Sequence, residues 1–432
     1  MKKGKLTYRD AIRYLYGLQK YGIKFGLSKT SNILKAFGNP HHGQNYVHIG
    51  GTNGKGSVAA MVESILIQAG LKVGFYSSPH LVRFTERFRI NGVQVADEKI
   101  VPVVEELKNI VDPENLPTFF EMTTAMALLL FARARTDVAI MEVGMGGRLD
   151  ATNIITPRVS AITNISLEHQ AFLGHRLVDI AREKAGIIKR GVDVVTGAHQ
   201  PSVIRLFESI CMEKRAPLWR IGKELRYRSN PLNFNYYGLE HSFKNIELNL
   251  KGKTQYRNAT LALAVIELLK GKGFRVSPEA ILDGLKNVHW PGRMQVISER
   301  PTIVLDGGHN PAAIKELAES VRHFFKYKRL ILVLGVMVDK DIRGIVEGIA
   351  PLADRAIFTR PAYYRAAQPE ELMRVALLSG IKGDIEPTIP QALERAKEMA
   401  APEDLILVCG SLFTVGEALT ALDAKNYPAE HI

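Results

Sequence analysis

The stretch from Gly51 to Ser57 reads Gly-Thr-Asn-Gly-Lys-Gly-Ser and has the composition of a phosphate-binding loop. Its glycines let backbone N–H groups approach phosphate oxygens without a Cβ clash, and Lys55 supplies a full positive charge. A strand-like run precedes the loop and a helix-like stretch follows it. The spacing departs from G-x-x-x-x-G-K-[ST], because Ile49 holds the first glycine position and Gly56 directly follows the lysine. We predict nucleotide binding here; the alternative is a plain glycine-rich βα turn.

An acidic residue and a histidine follow two other strand-like runs. Glu142 emerges from the apolar run Val138–Val143 into a glycine-rich turn, where a carboxylate is costly unless it is paired or metal-bound. His169 follows Glu168 just beyond the next run, Val159–Thr163. The strand ends of a parallel sheet meet at one edge, so we expect the magnesium site of the phosphate loop there. The alternatives are a capping or loop glutamate and a structural histidine.

Two blocks of alternating strand and helix patterns would position these residues, which favours parallel sheets covered by helices. In the first block the strands are predicted at Tyr46–Ile49, Lys72–Tyr76, Val138–Val143, Val159–Thr163 and Asp193–Thr196. Between the first two, apolar residues at helical spacing predict a helix with one buried face that ends at Gly70; they are Val58, Met61, Val62, Ile65, Leu66 and Ala69. Lys184 lies on a later predicted helix, and the residues alone predict that it is a solvated surface lysine.

The second block begins after the segment Trp290–Arg293. Its strands are predicted at Thr302–Leu305, Arg329–Leu334, Ala356–Thr359 and Asp404–Val408. We therefore predict an α/β protein of two domains, with a boundary near Val296–Arg300. Residues 1–296 form a phosphate-loop-type parallel-sheet domain, and residues 297–432 form a smaller Rossmann-like domain. The polar region Pro217–Lys253 is predicted to form strands or loops at the edge of the first domain.

The composition is that of a soluble globular protein, with 432 residues of which 46% are hydrophobic and 23% charged. The longest apolar run is too short to cross a bilayer, and the two distant cysteines, without metal-ligand spacing, best fit a reducing cytoplasm. The net charge of +13 suggests nucleic acid, yet Lys and Arg are dispersed along the chain. A positive field would equally concentrate small anionic substrates such as ATP. We expect small-molecule substrates and neither a nucleic-acid nor a membrane partner.

Taken together, these segments resemble the folylpolyglutamate synthase and dihydrofolate synthase family, a branch of the Mur-type ATP-dependent amide ligases. The resemblance covers nearly the whole chain. The motifs that carry it are His48–Ser57, Tyr76–Leu81, Arg83–Arg87, Phe119–Glu121, Glu142–Asn153, Glu168-His169, Glu183–Ile187, Asn258-Ala259, Pro291–Arg293, Asp306–Pro311, Asp339–Asp341 and Cys409–Ser411.

The resemblance implies ATP-dependent addition of L-glutamate to dihydropteroate, to the γ-carboxylate of reduced folates, or to both. It assigns ATP contacts to Thr52, Asn53, Gly54, Lys55, Gly56, Ser57, Asn258, Arg293 and Asp306. It implies Mg²⁺, with two ions expected, on Ser78, Glu142, His169 and Lys184. Lys184 is expected to be carbamylated, because an ammonium would repel the ion whereas a carbamate offers an anionic oxygen. The pterin part of the substrate is expected at Phe120, Glu121, Leu149, Asp150 and Ala151, with Ser28, Lys29 and Thr30.

The implied chemistry is activation of a carboxylate as an acyl phosphate, followed by attack of the glutamate amine. Lys55 would hold the phosphates, His169 and Lys184 would act through the metal, and Asp306 and His309 would place or deprotonate the amino acid. The second domain is expected to close on the first, with Arg293 moving at the hinge. The resemblance also implies a monomer. Two departures from the family pattern are mild, since Glu168 replaces a common aspartate and Gly308 a common alanine.

Three other classes remain as alternatives. A cell-wall Mur ligase would carry an additional UDP-binding domain before the loop, and only about fifty residues precede it here. A phosphate-loop NTPase coupled to nucleic acid would need basic and aromatic residues concentrated on one face. A binding protein without catalysis would not need the set Lys55, Glu142 and His169.

Overall fold

An eight-stranded, mostly parallel sheet forms the centre of the N-terminal domain. The structure, a computed structural model, describes residues 6–22, 24, 26–230 and 233–430. The strands of this sheet are β1 (Tyr46–Gly50), β2 (Val73–Tyr76), β3 (Phe88–Ile90), β4 (Val93–Gln94), β5 (Val138–Glu142), β6 (Val159–Ile162), β7 (Asp193–Thr196) and β8 (Leu218–Arg220). They lie in the order β4-β3-β2-β5-β1-β6-β7-β8. At one edge the pairs β2–β3 and β3–β4 are antiparallel.

Helices cover both faces of this sheet. They are α1 (Tyr8–Gly17), α2 (Ser28–Ala36), α3 (Lys55–Gln68), α4 (Asp97–Ile110), α5 (Phe119–Ala134), α6 (Gln170–Leu173), α7 (Leu177–Lys184), α8 (Pro201–Glu213), α9 (Lys253–Lys270) and α10 (Pro278–Asn287). Alternate strand residues face opposite layers: Val138 and Ile140 of β5 pack in the core with α3, α9 and α10. Ala139 and Met141 pack in the core with α1, α2, α4 and α5. Short 3₁₀ helices lie at Leu18–Tyr21, Phe84–Arg87, Ala151–Ile154 and Ala185–Ile187.

The helix after the phosphate loop is more deeply buried than its sequence pattern indicated. We expected one buried face, but ten residues from Gly56 to Leu66 are buried. The reason is that α3 lies between the sheet and the helices α9 and α10. Its contact with α10 is close: a Cβ placed on Gly284 would lie 2.5 Å from the Cα of Ile65.

The polar region after β8 forms a small antiparallel sheet. Its strands are β9 (Arg226–Ser229), β10 (Phe234–Tyr237) and β11 (Ser242–Ile246), in the order β11-β10-β9. Phe234 and Tyr236 of β10 are buried in the core that contains α9, and the Tyr236 hydroxyl donates to the buried carboxylate of Glu267. The predicted strands at the edge of the first domain are therefore present here and in β8.

The C-terminal domain is built on a six-stranded sheet. Its strands are β12 (Gln295–Glu299), β13 (Thr302–Leu305), β14 (Leu330–Leu334), β15 (Arg355–Phe358), β16 (Gly383–Ile385) and β17 (Leu405–Cys409), in the order β12-β13-β17-β14-β15-β16. The helices that cover it are α11 (Pro311–Phe324), α12 (Ile342–Ile349), α13 (Pro369–Leu378), α14 (Ile389–Met399) and α15 (Leu412–Leu422), with a 3₁₀ turn at Ala350–Leu352. The predicted combination of two α/β domains is confirmed.

The predicted boundary needs one correction. Strand β12 pairs antiparallel with β13, so a division at 296/297 would cut a strand of the second sheet. The hairpin from Gln295 to Leu305 pairs two neighbouring strands in antiparallel fashion, which a search for alternating strands and helices did not reveal. We propose that the division lies before Gln295.

The segment Trp290–Met294 connects the domains and packs against both. A Cβ on Gly56 of the loop would lie 2.7 Å from the Trp290 ring. On the other side, the Gly307 N–H donates to the Gly292 carbonyl at 2.9 Å. The Met294 N–H donates to Oδ2 of Asp306 at 3.0 Å. This connection is therefore part of the boundary between the two domains.

In the part of the chain that the structure describes, no helix is long and apolar enough to span a membrane.

Candidate active site

The phosphate loop links β1 to α3 in a backbone conformation that requires glycine. Gly51 and Gly54 have φ angles of 131° and 84°, in the region that side chains with a Cβ rarely adopt. Neighbouring groups fill the remaining space. A Cβ on Gly51 would lie 2.0 Å from the Thr163 hydroxyl, and one on Gly54 would lie 2.6 Å from Oδ1 of Asn258. The loop therefore has a fixed shape, with the N-terminus of α3 directly behind it.

Residues at the end of β6 hold the loop in place. The N–H groups of Thr52 and Asn53 donate to the carbonyl oxygen and Oδ1 of Asn164, at 2.9 and 2.8 Å. The Thr163 hydroxyl donates to the Asn53 carbonyl at 2.6 Å. We did not predict these roles, although a Thr-Asn pair at the end of a strand adjacent to the loop strand was a possible signal.

One cavity brings together every residue for which ATP contact was predicted. Its lining residues include Thr52, Asn53, Gly54, Lys55, Gly56, Ser57, Asn258, Arg293 and Asp306. Ser78, Glu142, His169 and His309 line the same cavity. Lys55 donates to the Thr52 carbonyl at 3.1 Å, so its ammonium lies against the loop. Both domains contribute, which places this cavity in the cleft between them.

Oxygen groups suited to a magnesium ion lie on one side of this cavity. Burial raises the pKa of Glu142, whereas the positive charges of Lys55 and Arg293 oppose that rise. Its Oε2 accepts a 3.3 Å hydrogen bond from the Ser78 N–H. The buried Ser57 hydroxyl has no hydrogen-bond partner among the described residues, and a phosphate-loop hydroxyl is a standard Mg²⁺ ligand. One carboxylate with hydroxyls fits Mg²⁺, which takes most of its other ligands from phosphates and water.

Lys184 ends α7 and is buried, which excludes the solvated surface lysine that its sequence context suggested. Its ammonium donates to the Gly51 carbonyl at 2.8 Å. Burial and the nearby charge of Lys55 lower the pKa of Lys184 to about 7. Lys184 is not among the described residues that line the nucleotide cavity, but its charge also lowers the pKa of His169. It therefore lies directly behind the loop, close to the predicted metal residues.

A cluster of Glu168, His169 and His309 crosses the cleft. Oε1 of Glu168 lies 3.1 Å from Nε2 of His309 and 3.8 Å from Nε2 of His169. Burial lowers the pKa of His169 to about 4, although Glu168 opposes this, so His169 is neutral and can bind a metal ion. Burial alone would raise the pKa of Glu168, but the hydrogen bond and charge of His309 lower it overall.

The second nitrogen of His309 also faces an acceptor. Its Nδ1 lies 2.9 Å from the Gly307 carbonyl oxygen, and its Nε2 faces the Glu168 carboxylate. Next to the ring, Nδ2 of Asn310 donates to Oδ1 of Asn53 at 2.9 Å. The substitution at Glu168 that looked mild in the sequence thus forms a main contact between the domains.

A second, more apolar cavity of about 370 Å³ adjoins the nucleotide cavity, within the usual size range of small-molecule sites. Phe120, Glu121, Leu149, Asp150 and Ala151 line it, as predicted for the pterin site. Two of these residues also shape the backbone. Glu121 accepts from the Thr118 N–H and hydroxyl in the capping box of α5, and Asp150 accepts from Met145 and Thr152.

The structure places Ser28, Lys29 and Thr30 elsewhere. They are not among the described residues that line either cavity. The Lys29 ammonium donates to the Leu116 carbonyl at 2.6 Å, and Thr30 is fully buried in α2. In the first turn of α2, Thr30 thus packs against the protein interior whereas Ser28 is exposed. Gly22, Lys24 and Gly26 of the preceding segment line the second cavity instead.

Arg87 is a lining residue of the second cavity that we did not predict. Only 6% of it is exposed, and burial lowers its pKa. Its Nε donates to Nδ1 of His80 at 2.9 Å, and its guanidinium lies 5.0 Å from the centre of the Phe119 ring. A buried cation held by neutral groups favours an arriving anion.

Comparisons with known proteins agree with this geometry. Residues 49–266 match the Mur ligase middle domain, and residues 292–412 match the Mur ligase glutamate ligase domain. The dihydrofolate synthase/folylpolyglutamate synthase of Escherichia coli is 36% identical over 415 residues, covering 96% of this chain and 95% of that protein. A probable bifunctional folylpolyglutamate synthase/dihydropteroate synthase of Haloferax volcanii is 35% identical over 444 residues, which cover 99% of this chain. The chain spans about half of that relative, 52% of its length.

Solved structures give the same result. Escherichia coli FolC in complex with DHPP and ADP has a TM-score of 0.88 at 34% identity, over 96% of this chain and 98% of that chain. A bifunctional folylpolyglutamate synthase/dihydrofolate synthase with Mn, AMPPNP and L-glutamate bound has a TM-score of 0.85 at 32% identity, over 95% and 98%. The matched domains, the relatives and the two adjoining cavities lead to one conclusion: the chain belongs to the folylpolyglutamate synthase/dihydrofolate synthase family of Mur-type ligases.

Proposed function

We propose that this protein is an ATP-dependent ligase that joins L-glutamate to dihydropteroate and to the γ-carboxylate of reduced folates. The observation that carries the proposal is that the two cavities share part of their lining. Both cavities are lined by Ser78, Pro79, Gly144, His169, His309 and Leu412. A carboxylate reaching from the apolar cavity would therefore meet the γ-phosphate of ATP held by the loop.

The reaction runs in two steps. In the first, a carboxylate oxygen of the pterin substrate bonds to the γ-phosphorus, and the bond to the β-phosphate oxygen breaks to release ADP. In the second, the glutamate amine attacks the acyl phosphate, and phosphate leaves as the amide forms. Lys55 and the loop N–H groups that Asn164 does not engage hold the phosphates, and Arg87 attracts the substrate carboxylate. Mg²⁺ held by Ser57, Ser78 and Glu142 would screen the negative charges that meet here.

Lys184 is proposed to take up CO₂. A lysine with a pKa near 7 is largely a free amine at physiological pH, and the amine adds to CO₂ to give a carbamate with loss of a proton. The resulting anion would suit a second metal ion at His169, whose ring is neutral. The buried position behind the loop would protect the carbamate from solvent.

His309 is proposed to position the amino acid and not to deprotonate it. Its ring nitrogens lie against the Gly307 carbonyl on one side and the Glu168 carboxylate on the other, so both are engaged by protein groups instead of by the glutamate amine. Asp306 has a similar role, because its two oxygens accept from the Gly308 and Met294 N–H groups. His309→Ala should therefore raise KM for L-glutamate more than it changes the pH profile of kcat; unchanged kinetics for glutamate would refute any role.

The test of the proposed function is ADP release with dihydropteroate and with tetrahydrofolate, each with and without L-glutamate. We expect release only when both an acid and glutamate are present, and none from Lys55→Ala. Lys35→Ala, on the exposed side of α2, is the matched control and should keep full activity. ADP release with neither acid would reject the proposal. We also propose that the protein is a monomer, which light scattering with and without substrates would test.

A further inference from the structure

The C-terminal wall of the second cavity is cationic. Lys340 and Arg365 line it, together with Ser411 and Phe413 at the start of α15. The N-terminus of this helix adds a partial positive charge. The facing wall from the N-terminal domain contains the apolar residues Phe119, Phe120, Met145 and Leu149 together with the charged residues Lys24, Arg87, Glu121 and Asp150. The cavity therefore offers apolar side chains for a pterin on its N-terminal side and a cationic wall for a second, anionic molecule on its C-terminal side.

Arg365 is held in a defined position on this wall. Its backbone carbonyl accepts from the Val338 N–H at 2.9 Å. Its guanidinium carbon lies 5.4 Å from the centre of the Tyr363 ring, and Nη2 lies 3.5 Å from the Tyr363 hydroxyl. Tyr363 in turn stacks on Phe413, with ring centres 4.1 Å apart. A stack of rings thus supports the guanidinium beside the cavity.

The charge of Arg365 is only weakly neutralised within the protein. Its nearest carboxylate is Asp339, at 3.8 Å, and both side chains are about half exposed. Asp339 also approaches Lys340, at 3.4 Å. One carboxylate thus faces two cations, and the planar fork of Arg365 keeps donors available for a bidentate partner.

Both cations are set back from the nucleotide. Lys340 and Arg365 line the second cavity, and neither is among the described residues of the nucleotide cavity. An amino acid whose amine faces the acyl phosphate has its α-carboxylate close by and its side chain directed away. A cation set back from the reacting centre matches a carboxylate at the end of that side chain.

We infer that Arg365 binds the side-chain carboxylate of the incoming amino acid and thereby selects glutamate over uncharged amino acids. This inference rests on the proposed function, because it names the group that recognises its second substrate. The partner chemistry is a carboxylate two methylenes beyond the α-carbon, which pairs with the guanidinium through two N–H···O bonds. The other anion that could lie here is the glutamate tail of a folate substrate, and the experiment separates the two.

The experiment compares wild type, Arg365→Gln and Arg365→Lys in the ADP-release assay. Each is titrated with L-glutamate, with its uncharged isostere L-glutamine, and with tetrahydrofolate carrying one or three glutamates. Loss of a charge-assisted pair should raise KM for L-glutamate about 10- to 100-fold in Arg365→Gln, with an intermediate rise in Arg365→Lys. The KM values for ATP and folate should not change, and kcat/KM for L-glutamine relative to L-glutamate should rise by the same factor.

Arg360→Gln is the matched control, because Arg360 lies on the same segment but donates to Gln368 at 2.9 Å; it should behave as wild type. An unchanged KM for L-glutamate in both Arg365 variants overturns the inference. The inference is also overturned if the Arg365 variants raise KM for the triglutamate folate and leave KM for L-glutamate unchanged. That result would assign Arg365 to the glutamate tail of the folate. If wild type releases no ADP with any acid plus glutamate, the proposed function itself fails. If Arg365→Gln does not fold, as judged by its Tm, the KM of Arg365→Lys for L-glutamate tests the inference.

Discussion

Replacing Lys184 with methionine should make the protein more stable and inactive. The pKa of Lys184 falls from 10.5 in the unfolded chain to about 7 in the folded state, chiefly through burial. At about 1.4 kcal/mol per pKa unit, this shift lowers the free energy of unfolding at neutral pH by about 5 kcal/mol. The variant leaves the Gly51 carbonyl without its donor, which costs about 1–3 kcal/mol. The net gain is about 2–4 kcal/mol, or a rise in Tm of about 4–8 °C for a domain of this size.

The pH dependence of this gain has a definite sign. Because the folded pKa lies below the unfolded one, the unfolded chain binds more protons between about pH 7 and 10.5. Wild-type stability therefore rises with pH across this window through this group. The advantage of Lys184→Met should be complete at pH 6.5 and should shrink towards pH 9.5. ADP release should fall by at least about 100-fold, because the variant cannot form the carbamate.

The assay is thermal unfolding of both proteins at pH 6.5 and pH 9.5, in CO₂-free buffer without nucleotide. Lys214→Met is the control, because Lys214 also donates to a backbone carbonyl, Ile188, at 2.6 Å, but in a half-buried position; it should lower the Tm slightly at both pH values. A lower Tm for Lys184→Met at pH 6.5, or an advantage that grows with pH, would refute the reasoning. Full activity of Lys184→Met would refute the proposed carbamate.

Three further predictions concern the loop and the metal residues. Glu142→Gln should lower kcat about 100- to 1000-fold while the protein stays folded. The affinity of this variant for Mn²⁺, measured by calorimetry, should also fall. If the variant binds Mn²⁺ as tightly as wild type, Glu142 is not a ligand. Gly51→Ala should weaken ADP affinity by more than about 10-fold, because the new Cβ would lie 2.0 Å from the Thr163 hydroxyl. Gly43→Ala is the control: Gly43 also has a positive φ, but the space around it is open, so this variant should bind ADP with normal affinity. Since burial lowers the pKa of His169 to about 4, the Mn²⁺ affinity of the Lys184→Met variant, which has no amine that titrates near pH 7, should be constant from pH 8 to 6. It should weaken as the ring gains a proton towards pH 4; a midpoint near 6.5 would contradict the buried, neutral histidine.

Local patterns in the sequence were sufficient for the elements whose residues carry their own signal. All nine predicted strands are present, within a residue or two, because short β-branched runs between turns are buried on both faces of parallel sheets. The residues predicted to contact ATP line one cavity, since the loop and the strand ends that carry them meet at one sheet edge. The burial of Lys184 could have been predicted from its spacing, because Ile180, Ala181 and Lys184 lie on one buried face of α7.

Other features depend on contacts between distant parts of the chain and leave no local pattern. Glu168 and His309 are 141 residues apart, and only the folded cleft brings them together. Glu121 could be predicted as a cap from its spacing to Thr118, but not its simultaneous place on a cavity wall. Ser28–Thr30 were assigned through the resemblance alone. Their own helix does not bring them to either cavity, since Thr30 packs inward and the residues just before the helix line the second cavity.

The connection at Trp290–Met294 decides how far the two halves can be separated. Each half has its own apolar core, so each contains what a compact fold requires. The nucleotide cavity does not divide in the same way: Lys55 lies before the connection, Arg293 within it and Asp306 after it. Two fragments cut at this point would therefore recover ATP binding only after they reassociate. Nucleotide affinity would then depend on fragment concentration, and in the intact chain the covalent link keeps that concentration permanently high.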